Sequence, residues 1–454
     1  MGSLAGRLTT AAAVLAASVL AAPAAQASWG AGQEVARLGP GLTFALAGNA
    51  RGDRIIVWDR PAGGFDFATA PPGGQFGRRR RLRPRDDFSE YLARVELDEL
   101  GNALLVTGYF DETDPQEDDI RDESCCNGLR ARVIRRNGTA SAAKTLGPPG
   151  RPAELADLHV GPRGEIGVVW HDGVNYVNSD ARMAARFGTL SRGFGAREAV
   201  PMAERYDRPA ALSFVHGRAR VLFARSLDRN QDAFENRRSR VVEVERLRSR
   251  RWSRERTVAP RVAMSIESLK IATAWRGEQA LAWRGRASQH ANVYAATRRP
   301  GSGLRTRLLG PENTLYYGLP APAIEKSGAA LAMWTSLSRG TFVGSVRRPA
   351  GRFGPLVPFG PQADRVQLNT PIFAVNASGL ALVVWDETPL GGTPKLVGAF
   401  RDPDGALVER QVLLDPGSYS VGPYAATLDR AGRGSVAHVS DGRLVVTPAR
   451  VGDG

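Results

Sequence analysis

The stretch Asn376-Ala-Ser-Gly-Leu-Ala-Leu-Val-Val-Trp-Asp386 decides the fold. An asparagine three residues before a glycine can bond its own backbone, and glycine accepts a positive φ, so its first four residues read as a hairpin turn. The apolar run behind the turn ends on Trp385, six residues after Gly379. The same arrangement recurs along the chain. Gly52, Gly101, Gly164, Gly217, Gly277, Gly328, Gly379 and Gly432 are followed at that distance by Trp58, Thr107, Trp170, Phe223, Trp283, Trp334, Trp385 and His438. Gaps between successive glycines run 49, 63, 53, 60, 51, 51 and 53. An internal repeat of this length, built from β-branched and aromatic residues, predicts a radial all-β array, a β-propeller.

One unit reads as four strands. Residues 368–375 and 380–385 flank the first turn, 396–401 form a third strand, and after the Asp-Pro-Asp-Gly turn at 402–405 a fourth spans 408–414. Third strands elsewhere close on a similar phrase ending in arginine, at Arg298, Arg347 and Arg450. The final unit has no fourth strand before Gly454. Near the other end, Gln33-Glu-Val-Ala-Arg-Leu-Gly-Pro40 carries the fourth-strand closing phrase with no three strands before it. The expectation is an eight-bladed propeller in which this N-terminal strand completes the last blade, leaving no open edge. The repeated large residues should then fill the wedges between blades.

Residues 1–27 read as a secretory leader: Arg7, an apolar run from Ala11 to Ala22, and a small-residue cleavage site at Ala25-Gln-Ala27. That run is short of the ~20 residues a membrane span needs, and no later stretch is longer. Residues 28–454 are expected to form one exported propeller domain, a monomer.

The formal net charge is +15, and only Lys144, Lys270, Lys326 and Lys395 among 61 basic residues are lysine. Two arginine clusters stand out on outer strands: Arg78, Arg79, Arg80 and Arg81 with Arg83 and Arg85, and residues 236–256, which include Arg250 and Arg251 and hold nine arginines against three glutamates. They read either as solvated rim or as a site for an anionic wall polymer or acidic glycan. Arginine with a single aromatic, Trp252, and no binding motif argues against nucleic acid.

Three further features fall on loops. Cys125 and Cys126 are adjacent, and both a strained vicinal disulfide and two free thiols are open readings. They lie in an acidic insertion, 111–128, that joins second and third strands. The equivalent loop of the fourth blade holds Asp228, Asn230 and Asp232, the alternating oxygens of a calcium loop, but Ala233 replaces its turn glycine; a solvated polar loop and a weak calcium site are both open readings, and no other cofactor is expected.

Hydrolase signatures such as G-x-S-x-G and H-E-x-x-H are absent from the sequence. The residues directly after second strands, Asp59, His171, Arg284 and Asp386, share one face of the ring. They read either as strand-end caps or as a catalytic set in which one carboxyl is acid and the other base or nucleophile for a glycosyl bond.

With phrases such as Arg348-Pro-Ala-Gly-Arg-Phe-Gly354 and repeats over nearly the whole chain, the sequence resembles secreted bacterial propellers of the sialidase-like superfamily. That resemblance implies the propeller fold. The sialidase turn motif S/T-x-D-x-G-x-x-W is not reproduced, since here the repeated glycine lies on the first-to-second-strand turn. Two function classes follow. One is an extracellular non-catalytic binding or scaffold module for a glycan, anionic polymer or protein partner; the other is a propeller-type glycoside hydrolase or lyase.

Overall fold

The computed structural model describes residues 27–451 except 40, 83–87, 112–127, 148–152, 173–181, 202–209, 227–238, 259–264, 275–276, 288–289, 300–301, 313–319, 325–327, 337–340, 350, 361–365, 369–370, 377, 390–391, 402–406 and 416–422. Among these there is no helix, and the strands form eight antiparallel sheets. Counting from the chain start, the first strands of blades 1 to 6 are Phe44–Gly48, Phe88–Leu97, Ala153–Val160, Ala210–Val215, Ser265–Thr273 and Ala321–Ile324. That of blade 7 is split into Val366–Leu368 and Ile372–Val375, where a continuous strand was expected, and that of blade 8 is Tyr424–Leu428.

First strands are the innermost. They touch one another in succession from blade 1 to blade 6 and again from blade 7 through blade 8 to blade 1. Each of the eight blade-to-blade interfaces holds an apolar cluster, so the ring is closed. Closure runs through the N-terminal segment. Gln33 pairs with Val446, Glu34 with Val445, Ala36 with Leu444 and Arg37 with Arg443. A second segment not read from the sequence, Ala27–Trp29, extends the same edge by pairing with Val451, Arg450 and Ala449. Trp29 packs on Phe400 of blade 7, with centroids 5.9 Å apart.

All eight repeat glycines have positive φ, between 73° and 96°. In blade 1 the turn closes by Gly52 N–H to Asn49 O at 3.0 Å and Asn49 N–H to Asp53 O at 3.0 Å. The Asn49 side chain accepts from Arg51 and Asp53 amides and donates Nδ2–H to the Asp98 carbonyl of the next blade at 2.8 Å. Asn376 does the same towards Asp429 at 3.0 Å. In blades 1 and 7 the asparagine three before the glycine therefore shapes its own turn and ties it to the turn of the next blade.

Every residue six after a repeat glycine is buried. Each large ring packs against the preceding blade: Trp58 with blade 8, Trp170 with blade 2, Phe223 with blade 3, Trp283 with blade 4, Trp334 with Val293 of blade 5, and Trp385 with Phe342 of blade 6. Twisted sheets diverge as they radiate, and a wide ring at one repeated height fills the gap. Of the arginines that close third strands, Arg298, Arg347 and Arg401 are buried too, while Arg450 of blade 8 is exposed. Arg347 donates Nη1–H to the carbonyl of Gly328, the turn glycine of its own blade, at 2.8 Å.

Candidate functional site

The inner strands of blades 2, 3 and 5 carry charge where those of the other blades are mostly small or apolar. Each of the three has a bulge, between Leu92 and Arg94, Leu155 and Asp157, and Ile266 and Ser268. A bulge re-aims the residues that follow it. Arg94 thereby reaches Asp157 of blade 3, Nη1 to Oδ1 at 2.6 Å, and Glu96 of its own strand. Glu96 also accepts from the Val160 amide at 3.0 Å and lies 3.4 Å from His159 Nδ1. Asp157 accepts in turn from the Leu212 amide of blade 4 at 2.6 Å.

Burial alone would raise the Glu96 pKa, but the Arg94 charge, the His159 contact and the Val160 amide outweigh it and hold the carboxyl at about 2. Burial disfavours the His159 cation; the Glu96 hydrogen bond and charge and the Asp157 charge overcome that, and its pKa is raised. Lys270 of blade 5 is lowered by burial first and then by the Arg94 charge. Arg94, His159 and the Val160 amide thus all favour the ionised form of Glu96. What these groups do is join blades 2, 3 and 4 along the channel wall.

The four residues expected directly after second strands lie within them instead, because the strands run on past the repeat position: Asp59 in Arg54–Asp59, His171 in Glu165–Asp172, Arg284 in Gln279–Ala287 and Asp386 in Ala381–Pro389, in blades 1, 3, 5 and 7. Asp59 Oδ2 accepts from the Thr43 amide at 2.9 Å and from its hydroxyl at 2.6 Å. Asp386 lies beside Tyr424 of blade 8, whose phenol burial and then the Asp386 charge push up to about 12. His171 and Arg284 are buried. Among the described residues no three His, Cys, Asp or Glu side chains gather as a metal site. Cys125, Cys126, the acidic insertion 112–127, Asp228, Asn230, Asp232, Arg83, Arg85 and the leader up to residue 26 lie outside the described residues.

The rim arginines divide into engaged and open ones. In blade 1 the buried Asp66 faces Arg60 at 3.7 Å, Arg79 at 3.5 Å and Arg81 at 3.9 Å, and Arg80 bonds the Asn137 carbonyl. The fourth strand itself is Arg80–Leu82, so Arg78 and Arg79 precede it. In blade 4, Glu255 holds Arg225 and Arg240, Glu198 of blade 3 holds Arg246, and Glu243 holds Arg256. Arg78, Arg248, Arg250, Arg251 and Arg254 have no carboxylate within 4.0 Å among the described residues. These pairings could not be read from the sequence, because partners such as Arg246 and Glu198 come from different blades.

Arg250 is one of four non-glycine residues with a left-handed backbone among the described residues, with His216, Glu409 and Asp441. The turn Leu247–Arg251 closes by Arg250 N–H to Leu247 O at 3.0 Å and Leu247 N–H to Arg251 O at 2.7 Å, the pattern of the repeat turns. Its left-handed position is occupied by Arg250, at φ 61°, where the repeat turns use glycine.

No family model matches this chain, and no curated protein sequence matches it. Similar solved structures include the BP39L lectin from Burkholderia pseudomallei, 10% identical with a TM-score of 0.48 over 82% of this chain and 98% of that one. An ulvan lyase of polysaccharide lyase family PL25 is 10% identical with a TM-score of 0.47 over 92% and 95%. The microbial sialidase Hz136 is 11% identical with a TM-score of 0.37 over 73% and 74%. The likeness is one of fold.

Proposed function

We propose that the protein is an exported, non-catalytic binding propeller whose basic rim holds an anionic polymer, an acidic glycan or a wall polymer. The observation that carries this is Arg250. A left-handed backbone costs a non-glycine residue roughly 1–2 kcal/mol, and the chain uses glycine for that geometry in every repeat turn. Keeping a charged, exposed, carboxylate-free side chain there is accounted for by a use for the charge. Arg248, Arg251 and Arg254 extend the patch, and Arg78 to Arg81 form a second one around the single Asp66 carboxylate. Export is supported by the leader read at residues 1–27.

The test is an array of acidic and neutral polysaccharides probed with the mature protein and with Arg250→Gly. That variant should melt higher, through relief of the left-handed strain, and bind acidic polymers more weakly. Binding to the acidic polymers should also weaken with salt, as multiple phosphate-like or carboxylate contacts require. Absence of binding to any acidic polymer, or binding unchanged in Arg250→Gly, would overturn the reading.

A further inference from the structure

Between blades 4 and 5, at the end of the ring that carries the repeat glycines, lies a groove of about 260 Å³ lined by Arg220, Arg254, Arg256, Arg298, Glu243 and Glu245, with Leu247 on its wall. Four guanidinium groups face two carboxylates. Both carboxylates are already engaged: Glu245 by Arg220 at 3.0 Å and by Arg218 from outside the groove at 2.9 Å, Glu243 by Arg256 at 3.0 Å and Arg298 at 2.5 Å. The groove therefore carries an excess of positive charge.

Arg298 marks its centre. It is 3% exposed, and its Nε and Nη1 have no hydrogen-bond partner among the described residues. In the next blade the equivalent Arg347 uses Nη1 to bond the turn glycine carbonyl. Arg298 instead reaches across the interface to Glu243 and bonds Gln279, its strand partner in the same blade, and Gln279 continues to Ser213 of blade 4 at 2.8 Å. Burial first, and then repulsion from Arg220 and Arg256 set against the Glu243 attraction, lowers its pKa. A buried cation with unpaired donors beside like charges is a position that an added anion stabilises.

We infer that this groove is a binding site for one oxyanion carried on a sugar-sized unit, either a carboxylate or a sulfate ester. The planar, forked donors of Arg256 and Arg254 suit a two-oxygen acceptor, and Leu247, 36% exposed, offers an apolar wall to a sugar ring. A volume of about 260 Å³, just below the roughly 300–1,000 Å³ of drug-sized pockets, accommodates a unit the size of a monosaccharide. This site shares Arg254 with the rim patch but does not use Arg250 at the turn tip, and it needs no polymer to fill it.

The test is calorimetric titration of the mature protein with glucuronate, glucose 6-sulfate and, as the neutral control, glucose. Glucuronate, the sulfate ester or both should bind saturably and raise Tm, and glucose should do neither; the preferred anion tells carboxylate from sulfate. Arg256→Ala and Arg254→Ala, both at exposed positions, should fold normally and weaken binding by about tenfold or more. Arg250→Gly should leave monosaccharide binding unchanged, which separates this site from the rim. No saturable binding of either anion, equal binding of glucose, or undiminished affinity in both arginine variants would each overturn the assignment.

Discussion

Thr107 is paired with Arg130 across the second and third strands of blade 2, at the height where five other blades carry a tryptophan. Opposed residues point to the same face of a sheet. With no indole at Thr107, the space on that face is taken by the Arg130 guanidinium, 4.1 Å from the Tyr109 ring centre and 2.7 Å from Glu90, and Glu90 also holds Arg132 at 2.8 Å. All three charged side chains are nearly inaccessible to solvent. An ion cluster has replaced a ring as the filler of one wedge.

Removing the carboxylate from Glu90 should be severe. Glu90→Gln takes away the charge that Arg130 and Arg132 share, and breaking a buried pair from one side costs about 3–5 kcal/mol. Thr107→Val, in contrast, removes a buried hydroxyl with no hydrogen-bond partner and should be neutral or stabilising. Urea midpoints of the two variants should move in opposite directions or leave Thr107→Val in place; equal destabilisation would contradict this account.

Trp283→Ala should cost about 3–5 kcal/mol. The indole is fully buried and stacks on Tyr294 at 5.5 Å, so truncation both opens a cavity between blades 4 and 5 and strips a ring contact. Thermal unfolding reads the loss, and a variant as stable as wild type would show that the repeated rings do not hold the wedges.

His438, the repeat residue of blade 8, predicts an acid-sensitive seam. It is 3% exposed, neither ring nitrogen has a hydrogen-bond partner among the described residues, and burial lowers its pKa from 6.5 to about 4. Below pH 6.5 the unfolded chain takes up the proton first, so stability falls as pH drops from 6.5 towards 4 and then levels. The full loss is on the order of 3 kcal/mol. His438→Phe, which copies Phe223 at the same place in blade 4, should raise Tm at neutral pH and flatten stability between pH 4 and 6.5. A slope unchanged by this substitution would exclude His438 as its origin.

The inner-strand ions predict the opposite pH limbs. Glu96, lowered from 4.5 to about 2, gives stability that is present above 4.5 and lost as pH falls through 2. His159, raised from 6.5, gives stability that is full below 6.5 and lost as pH rises through its folded value. In a His438→Phe background the contribution should peak between these limits. Adding His159→Gln should remove the decline on the alkaline side only, as followed by urea unfolding at a series of pH values.

The turn glycines and the rings six residues later were legible because they answer to local chemistry: a positive φ, a short hairpin and an apolar run. The complementary ends were legible because Gln33–Pro40 repeats a phrase found elsewhere. Contacts between blades were not. Arg94 and Asp157 are 63 positions apart in sequence, and Arg298 and Glu243 are 55 apart, so nothing in either neighbourhood marks the pairing. The bulges that aim Arg94 and Asp157 leave no glycine behind to announce them. The arginine-rich hairpin was visible as composition, while its division into engaged and open guanidinium groups depends on carboxylates such as Glu198 brought by another blade.

The pairing of Gln33–Arg37 with Arg443–Val446 joins segments about 400 positions apart, and this has a consequence for how the molecule is made. During synthesis the strand that seals the ring emerges first and must wait, unpaired, until the third strand of the last blade follows. Loop-closure entropy opposes so distant a contact, and pairings of high sequence separation form slowly. For that interval the outer edge of blade 8 and the waiting strand are both open to other partners, including the same two segments of another copy. A newly made chain at high concentration is thus exposed to exchange of its first strand between neighbours.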